Sequence, residues 1–486
     1  MIFENMIKQR YEGGCTTVVV GKNASKTGRV IVGHNEDDGK SLVMLHTLPR
    51  VENEPGSTIK FGDSEQEFPL PETCLACYWS EVRRLGGISF GDCLFNECGV
   101  IVVTNSAGNN HFTEEEKASC TMGYALRWLI GRSARTAREG LELLISLVEK
   151  YGYFSSRIYN IADKDECWSC QIVGHRVVAK RIPDDAIYFI PNWLTIHQLE
   201  PSDKVNFYYT PDVVENAINN GWYTPAVPGD YSDFDFADVY RNYDSEGSRG
   251  PRDRNGWAIL GFDDGKMRRF CETAERKYGV DDFKALLRTH YEGRPEANNT
   301  DYEVNPHQKE NSPYTICGPT TVESTVVEFA DEPELTIMWR AWQQPCTNPY
   351  VPFYLAKPVI PPDYHWMNGE EAERTHFDPS ERDFAYNYST AYWKYRTLIW
   401  LTELDYKYCH KFLEPAIAKY ESKLTEKRAS IAAEYRRLAE TDKVLAKDYL
   451  AMCSVEAALD AENWAVTMTQ KIGEQKHRDN NFKYPQ

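Results

Sequence analysis

A β-branched run that starts directly after a cysteine is the sequence feature that most restricts the fold of this chain. Residues 16–20, Thr-Thr-Val-Val-Val, follow Cys15 and are typical of a buried strand, because β-branched side chains suit a pleated surface. Residues 21–28 are rich in Gly, Asn, Ser and Lys and predict a turn, after which residues 29–33 predict a second short strand. Antiparallel pairing of the two strands would return the acidic cluster at 36–38 to the neighbourhood of Cys15.

The position of Cys15 directly after Gly13 and Gly14 indicates a specific chemistry. If the chain is cut between Gly14 and Cys15, the cysteine has both a thiol and a free α-amine. The pKa of an α-amine is about 7.7–8.0 and that of a thiol is about 8.5, so the amine can accept the thiol proton at neutral pH. One residue would then supply nucleophile and base. The alternative is that Cys15 is a small buried hydrophobe, the usual role of a cysteine at a strand edge.

The residues from Cys15 onward, Cys-Thr-Thr-Val-Val-Val-Gly-Lys-Asn-Ala-Ser, together with Asn35-Glu36-Asp37, resemble the start of the dipeptidase A family of cysteine peptidases. Later segments extend the resemblance, at residues 96–100, 174–185, 286–293 and 339–354. Members of this family are N-terminal-nucleophile hydrolases, related to secernins and more distantly to penicillin V acylase and bile salt hydrolase.

The order of the predicted elements favours an α+β fold, since strand-rich and helical blocks follow one another without strict alternation. The four-layer αββα sandwich of the N-terminal-nucleophile hydrolases is implied by the resemblance. We expect residues 1–14 to be a propeptide and residues 15–380 to form the hydrolase domain. Residues 381–486 are expected to form a helical C-terminal region that packs on the domain or at a subunit interface. Further helices are predicted at 267–278 and 281–291.

Composition and charge restrict the partners. The net charge of −18 over 486 residues argues against nucleic acid and against an anionic membrane surface. A hydrophobic content of 42% supports a packed globular core rather than wholesale disorder. No run of about 18 apolar residues and no signal peptide is recognised, which predicts a cytoplasmic protein without a membrane partner. We expect a homo-oligomer that acts on short peptides such as dipeptides.

Thirteen cysteines occur in the chain, and two Cys-x-x-Cys pairs among them require an interpretation. Cys74/Cys77 and Cys167/Cys170 could together form a four-thiolate zinc site. Both pairs lie in apolar, strand-like stretches, where positions three apart face opposite sides of a sheet. The sequence therefore predicts reduced core thiols, with no metal and no cofactor.

The resemblance assigns catalytic roles to three further residues. Asn105 follows a β-branched strand and is the candidate oxyanion donor, although an asparagine at this point could equally cap a turn. Asn192 would polarise the scissile carbonyl or hold substrate, the alternative being a turn at the strand end. An amide N–H aimed at a developing oxyanion is worth about 3–4 kcal/mol. Asp37 would orient the α-amine of Cys15 or of the substrate.

His34 and Asn35 are the predicted substrate-binding residues, and His34 is also a departure from the family pattern. Relatives usually have a basic residue, often Arg, three positions before Asp37. A neutral imidazole stabilises a thiolate less than an arginine, which stays charged. Either His34 is protonated in the site or the activity is altered, and Arg83 or Arg84 could substitute for the missing charge.

Together these features predict a cysteine-type dipeptidase whose nucleophile is Cys15, exposed by removal of the propeptide. The thiolate would attack the carbonyl of a short peptide, the protonated amine would give its proton to the leaving amine, and water would hydrolyse the thioester. Two alternatives remain open at this point. One is an amidase or acylase that acts on a non-peptide amide with the same nucleophile, and the other is a catalytically inactive binding protein that keeps the fold.

Overall fold

The computed structural model describes most of the chain and defines the elements named below. The described residues are 14–39, 41–88, 93–108, 110–242, 249–294, 302, 305–308 and 315–479. The predicted propeptide, 1–14, therefore lies outside the described residues except for Gly14.

Within these residues the structure contains nineteen strands. In chain order they are β1 (Thr16–Val20), β2 (Ile31–Asp37), β3 (Leu42–Leu48), β4 (Val51–Glu52), β5 (Thr58–Lys60), β6 (Glu67–Pro69), β7 (Thr73–Cys74), β8 (Cys77–Arg83), β9 (Leu94–Asn96), β10 (Ile101–Ser106), β11 (Tyr153–Ala162), β12 (Cys167–Gly174), β13 (Arg176–Arg181), β14 (Ala186–Ile190), β15 (Phe207–Tyr209), β16 (Cys271–Thr273), β17 (Thr321–Glu328), β18 (Ile337–Trp342) and β19 (Val351–Tyr354).

Eleven α-helices lie in the same part of the chain. They are α1 (Glu114–Ser119), α2 (Tyr124–Ser133), α3 (Ala137–Tyr151), α4 (Val213–Asn219), α5 (Phe236–Val239), α6 (Arg249–Ile259), α7 (Val280–Arg288), α8 (Gly369–Thr375), α9 (Ala391–Leu404), α10 (Tyr406–Ala439) and α11 (Lys443–Arg478). Short 3₁₀ helices occur at Pro333–Leu335, Pro362–Tyr364 and Glu381–Phe384.

Side-chain caps and a glycine set several of the helix ends. The Thr136 hydroxyl accepts a hydrogen bond from the Glu139 N–H at the start of α3, which satisfies one of the unpaired amides of the first turn. The same helix ends at Gly152, whose φ of 63° is readily adopted only by glycine. Asp442 caps the start of α11 in the same way as Thr136 caps α3.

Two large antiparallel sheets form the centre of the molecule. Sheet I has seven strands in the order β16-β14-β1-β2-β17-β18-β19. Sheet II has eight strands in the order β15-β13-β12-β11-β10-β9-β8-β3. Because β1 pairs with both β2 and β14, and β2 also pairs with β17, the residues at the start of β1 lie in the middle of sheet I.

Helices cover the outer face of each sheet, which produces four layers. Helices α6 and α7 contact β14, β2 and β17 of sheet I. Helices α2 and α3 contact strands β9 to β13 of sheet II. Buried residues of both sheets, among them Val19 and Val103, belong to one hydrophobic core, and a second core lies between sheet II and its helices. The structure thus confirms the predicted α+β fold with an αββα sandwich.

The hairpin predicted at the start of the chain is present. β1 and β2 pair antiparallel with Thr16 opposite Asn35, and Gly28 in the intervening turn has a φ of 75°. β2 is longer than predicted and extends to Asp37, because pairing with β17 on its other side supports the ladder beyond residue 33.

One of the two helices predicted between 267 and 291 is wrong. Residues 267–278 contain the strand β16, which pairs with β14 at the edge of sheet I, and no helix is described there. The second prediction is confirmed, since α7 covers Val280–Arg288. The local sequence pattern at 267–278 favours a helix, but part of this segment pairs instead with β14, which lies more than 80 residues earlier in the chain.

Helices α9 to α11 pack against one another, and α11 covers the edge strand β19. The Tyr354 N–H donates to the Ser454 hydroxyl at 2.9 Å across that contact. The domain boundary at 380/381 stays a prediction. No helix in the described residues combines the length and the apolarity needed to cross a membrane.

Candidate active site

Cys15 lies immediately before β1, and its thiol faces a carboxylate. The Cys15 Sγ donates to Glu36 with 3.5 Å to each carboxylate oxygen. This contact follows from the hairpin register, because Thr16 pairs with Asn35 and the next residues outward are Cys15 and Glu36. The predicted return of the acidic cluster to Cys15 is confirmed. Cys15 is 5% exposed, so the thiol is buried, but among polar groups rather than in an apolar interior.

The His34 imidazole lies between Glu36, the carboxylate beside the Cys15 thiol, and Thr17. Its Nε2 is 3.6 Å from Glu36 Oε2, and its Nδ1 is 2.8 Å from Thr17 Oγ1. The single hydroxyl proton of Thr17 goes to the side-chain oxygen of Asn105 at 2.6 Å. Thr17 Oγ1 can therefore only accept from His34, which places a proton on Nδ1.

Asn105 joins this group from sheet II. It lies inside β10 rather than in a turn, so the turn-cap alternative is wrong. Its oxygen accepts from Thr17 and, at 3.1 Å, from Asn160 Nδ2. Its buried Nδ2 has no hydrogen-bond partner among the residues that the structure describes. An unpaired buried amide N–H₂ costs free energy unless a ligand accepts from it.

Asn192 follows the end of β14 and adopts a φ of 75°, a conformation that is rare for a residue other than glycine. Its Nδ2 donates to the Ser106 carbonyl at 3.0 Å, and its oxygen accepts from Arg252 Nη2 at 3.1 Å. The side chain is thus held between the end of β10 and helix α6. Backbone strain of this kind persists where surrounding contacts over-determine a position.

Arg252 of α6 contacts several of these groups, and it was not recognised from the sequence. Its Nη1 donates to the Gly14 carbonyl and lies 3.4 Å from the Cys15 carbonyl. The same nitrogen is 3.7 Å from Asp37 Oδ2 in an ion pair whose side chains are 4% and 6% exposed. Asp37 also accepts from the Thr321 hydroxyl at 2.6 Å. Arg252 lies in a charged segment without a motif, so no local signal could have identified it.

A second cation missed by the sequence analysis is Arg157 in β11. Burial lowers the pKa of the Arg157 guanidinium, but neighbouring groups that become negative on ionisation raise the pKa above its ordinary value. Those groups are, in order, Tyr153, Cys15, Tyr159 and Glu36. Arg157 therefore supplies positive charge near the thiol from sheet II.

Arg83, which we considered as a substitute for the missing arginine, does not supply this charge. Its guanidinium donates to Glu81 and to Asp383, at 2.7 Å and 2.6 Å, and is fully buried at these contacts.

Asn35 lies beside His34 in the sequence but faces away from the thiol. Its Nδ2 donates to the carbonyls of Leu287, at the end of α7, and of Ile316. The structure therefore brings together Cys15, His34, Asn105, Asp37 and Asn192, whereas Asn35 anchors α7 to β2. Substrate binding by His34 and Asn35 stays a prediction.

The donor atoms of Cys15, His34 and Glu36 lie within 4.8 Å of one another, a set that could hold a metal ion. The positive charge of Arg157 beside them disfavours a divalent cation at this point. The arrangement is better suited to a nucleophilic thiol flanked by a proton acceptor and hydrogen-bond donors.

Known proteins resemble this chain over most of its length. A "Probable dipeptidase B" of Lactococcus lactis subsp. lactis (strain IL1403) is 26% identical over 394 residues, which cover 75% of this chain and 79% of the relative. A "Probable dipeptidase" of Latilactobacillus sakei is 23% identical over 427 residues, 81% of each chain.

Two solved structures are also similar. A penicillin V acylase from Agrobacterium tumefaciens has a TM-score of 0.36 and 9% identity, covering 71% of this chain and 86% of its own. A variant of the conjugated bile acid hydrolase from Clostridium perfringens has a TM-score of 0.35 and 12% identity, covering 71% and 94%.

The profile of peptidase family C69 matches residues 14–419, a range that begins next to Cys15 and includes both sheets. The predicted resemblance to a family of cysteine peptidases is thereby confirmed. This chain belongs to peptidase family C69.

Proposed function

We propose that this protein is a cysteine-type dipeptidase whose nucleophile is Cys15, exposed by removal of residues 1–14. The observation that supports this most directly is the environment of the Gly14–Cys15 peptide bond. A cation, Arg252, donates to its carbonyl oxygen, and the Cys15 thiol lies next to a carboxylate, Glu36. The relatives named as probable dipeptidases indicate the reaction class.

The first step we infer is removal of the leader by Cys15 itself. A side chain at position 14 would collide with Arg252 Nη2 and Asn192 Oδ1, so only glycine lets this carbonyl approach the guanidinium. The Cys15 sulfur attacks the Gly14 carbonyl carbon, and the thiol proton passes to Glu36. The C–N bond then breaks as the nitrogen takes the proton from Glu36, which frees the α-amine of Cys15 and leaves Gly14 bound to the sulfur as a thioester. Water hydrolyses this thioester, which releases the leader as a carboxylate and regenerates the thiol.

In the mature enzyme the substrate carbonyl would occupy the place that Gly14 vacates. The α-amine of Cys15 accepts the thiol proton, and the thiolate attacks the peptide carbonyl. In this proposal two groups stabilise the resulting oxyanion: Arg252, which donates to the Gly14 carbonyl, and Nδ2 of Asn105, which has no hydrogen-bond partner among the described residues. The ammonium then donates its proton to the leaving amine, and water hydrolyses the thioester.

Asn192 and Asp37 act in this proposal through position. Asn192 orients the Arg252 guanidinium, with 3.1 Å between its oxygen and Nη2. Asp37, held by Thr321 and Arg252, would receive the α-ammonium of Cys15 or of the substrate. A carboxylate that binds an α-ammonium favours an unblocked short peptide over a non-peptide amide.

The test starts with the mass of the purified full-length protein. We expect wild type to lack residues 1–14 and Cys15→Ala to keep them. The matched control is Cys170→Ala, because burial raises the pKa of the Cys170 thiol and keeps it protonated within β12. Cys170→Ala should be processed like wild type.

A panel of dipeptides and of N-acylated amides then decides the substrate class. Hydrolysis of dipeptides by wild type and by Cys170→Ala, but not by Cys15→Ala, is the expected result. Preferential hydrolysis of acyl amides would assign the acylase alternative. A retained leader together with no labelling of Cys15 by iodoacetamide would support the inactive binding protein and contradict the proposal.

A further inference from the structure

Four buried side chains converge outside the active site, and two of them lie in segments that resemble the family, 286–293 and 339–354. They are His290, His307, Cys317 and Cys346, and their donor atoms lie within 4.8 Å of one another. His307 Nε2 is 2.9 Å from His290 Nε2, 3.8 Å from Cys317 Sγ and 3.7 Å from Cys346 Sγ. All four residues belong to the described part of the chain.

We propose that these two histidines and two cysteines bind a structural Zn²⁺ ion. Zinc–nitrogen bonds of about 2.0–2.1 Å and zinc–sulfur bonds of about 2.3 Å in a tetrahedron separate nitrogen from sulfur by about 3.5 Å and nitrogen from nitrogen by about 3.3 Å. The nitrogen–sulfur distances of 3.7 and 3.8 Å agree with this geometry within about 0.3 Å. The nitrogens need to separate by only a few tenths of an ångström.

The orientation of the two imidazoles argues for a cation between them. His290 Nδ1 lies 3.0 Å from Glu292 Oε1, and His307 Nδ1 lies 2.5 Å from Glu403 Oε1. A carboxylate only accepts, so each Nδ1 bears a proton, and in the neutral form of each imidazole Nε2 presents a lone pair. At 2.9 Å the two Nε2 atoms need either a shared proton or a metal ion between them, and the two cysteine sulfur atoms beside them favour the metal ion.

The carboxylates behind the histidines are themselves fixed, as is usual for the outer shell of a metal site. Glu292 accepts from the Thr289 hydroxyl and the Tyr302 hydroxyl, both at 2.6 Å. Glu403 accepts from Asn305 Nδ2 at 2.6 Å. Carboxylate–histidine pairs of this kind hold the imidazole in one tautomer and increase its basicity toward zinc.

The ion would join elements that are distant in the chain. His290 follows α7, Cys346 lies between β18 and β19, and Glu403 belongs to α9. Four protein ligands leave no open coordination position, which is typical of a structural rather than a catalytic zinc. Two thiolates also neutralise the double positive charge of the ion itself.

The segment that contains Cys317 also contacts strand β2. The residue before Cys317, Ile316, accepts from Asn35, and Thr321 donates to Asp37. The segment that contains a proposed zinc ligand thus also positions two residues of β2. The Cys-x-x-Cys pairs noted in the sequence contribute no ligand to this cluster.

The first experiment measures zinc in the full-length protein, purified without chelators, by inductively coupled plasma mass spectrometry. We expect one zinc ion per chain in wild type and in Cys170→Ser, the buried-cysteine control, and background zinc in Cys317→Ser and Cys346→Ser. Glu403→Gln should bind zinc about 10–100-fold more weakly in a chelator competition. Cys15→Ala should retain its zinc, so the result does not depend on the proposed peptidase activity.

A second measurement on wild type covers the case in which the cysteine variants fail to fold. Protein produced with Co²⁺ should show thiolate-to-cobalt charge-transfer absorption and the intense visible bands of tetrahedral cobalt. Absence of both zinc and cobalt in folded wild type would overturn the proposal. So would a Cys317–Cys346 disulfide in non-reducing mass spectrometry, or full zinc content in both cysteine variants.

Discussion

Replacement of Arg252 by glutamine tests the carbonyl site in the proposed mechanism. Arg252 donates to the Gly14 carbonyl, and in mature enzyme this donor would face the oxyanion of the substrate. Loss of one such donor costs about 2.7–4 kcal/mol of transition-state stabilisation, or about 10²–10³ in kcat. The change would also remove the hydrogen bond of 3.1 Å from Arg252 Nη2 to the side-chain oxygen of Asn192. We therefore expect a loss in the upper part of this range.

The same change has a separate cost in stability. Arg252 and Asp37 form a buried ion pair, and removing one member of such a pair typically costs about 3–5 kcal/mol. The separation of 3.7 Å and the remaining bond from Thr321 to Asp37 reduce that cost. We therefore expect about 2–3 kcal/mol in the free energy of unfolding.

The assay compares Arg252→Gln with Arg132→Gln in three readouts: leader removal by intact mass, kcat on a dipeptide, and unfolding in urea. Arg132 is also buried and donates to backbone carbonyls, those of Leu75 and Pro49, but lies outside the site. Both variants should unfold at lower urea concentrations than wild type. Only Arg252→Gln should remove residues 1–14 slowly and show a kcat below that of wild type, with kcat expressed per titrated Cys15 thiol. Equal kcat for the two folded variants would refute the assigned role.

Three further outcomes are expected. Glu36→Gln should slow the removal of residues 1–14, measured by intact mass, because Glu36, 3.5 Å from the thiol, accepts the thiol proton in the proposed leader removal; processing at the wild-type rate would show that another group accepts it. Asn35→Ala should lower the melting temperature with unchanged KM, since its amide holds two backbone carbonyls; a raised KM would assign it to substrate binding. Burial lowers the pKa of Lys284 from 10.5 to about 8. Between these two pH values the unfolded chain therefore binds more protons than the folded protein, and the free energy of unfolding rises with pH. Lys284→Met should abolish that rise, and at pH 7 it should increase the free energy of unfolding, measured in urea, by up to about 3 kcal/mol. An unchanged dependence of stability on pH would contradict this.

The hairpin that contains β1 and β2 could be predicted from the amino-acid sequence alone. β-branched residues, a glycine-rich turn and a second apolar run are local signals, and their register follows from the turn. The proximity of Cys15 and Glu36 could therefore be predicted, as could α7. The layered α+β class also followed from the order of local patterns, while the αββα sandwich required the family resemblance.

Only the tertiary structure placed the residues that complete the site. Arg252 and Arg157 reach Cys15 from α6 and from the other sheet, and neither lies in a motif. The strand β16 has the same origin, since a three-residue segment acquires its strand conformation from pairing with β14 and not from its own pattern.

The proposed zinc ligands show the same limit most clearly. His290, His307, Cys317 and Cys346 have none of the close spacing that marks a zinc motif, and their carboxylate partner Glu403 comes from another region of the chain. Local periodicity and turn residues encode which strands and helices form. Which side chains meet in space depends on how the sheets and helices pack, and that information is distributed over the whole chain.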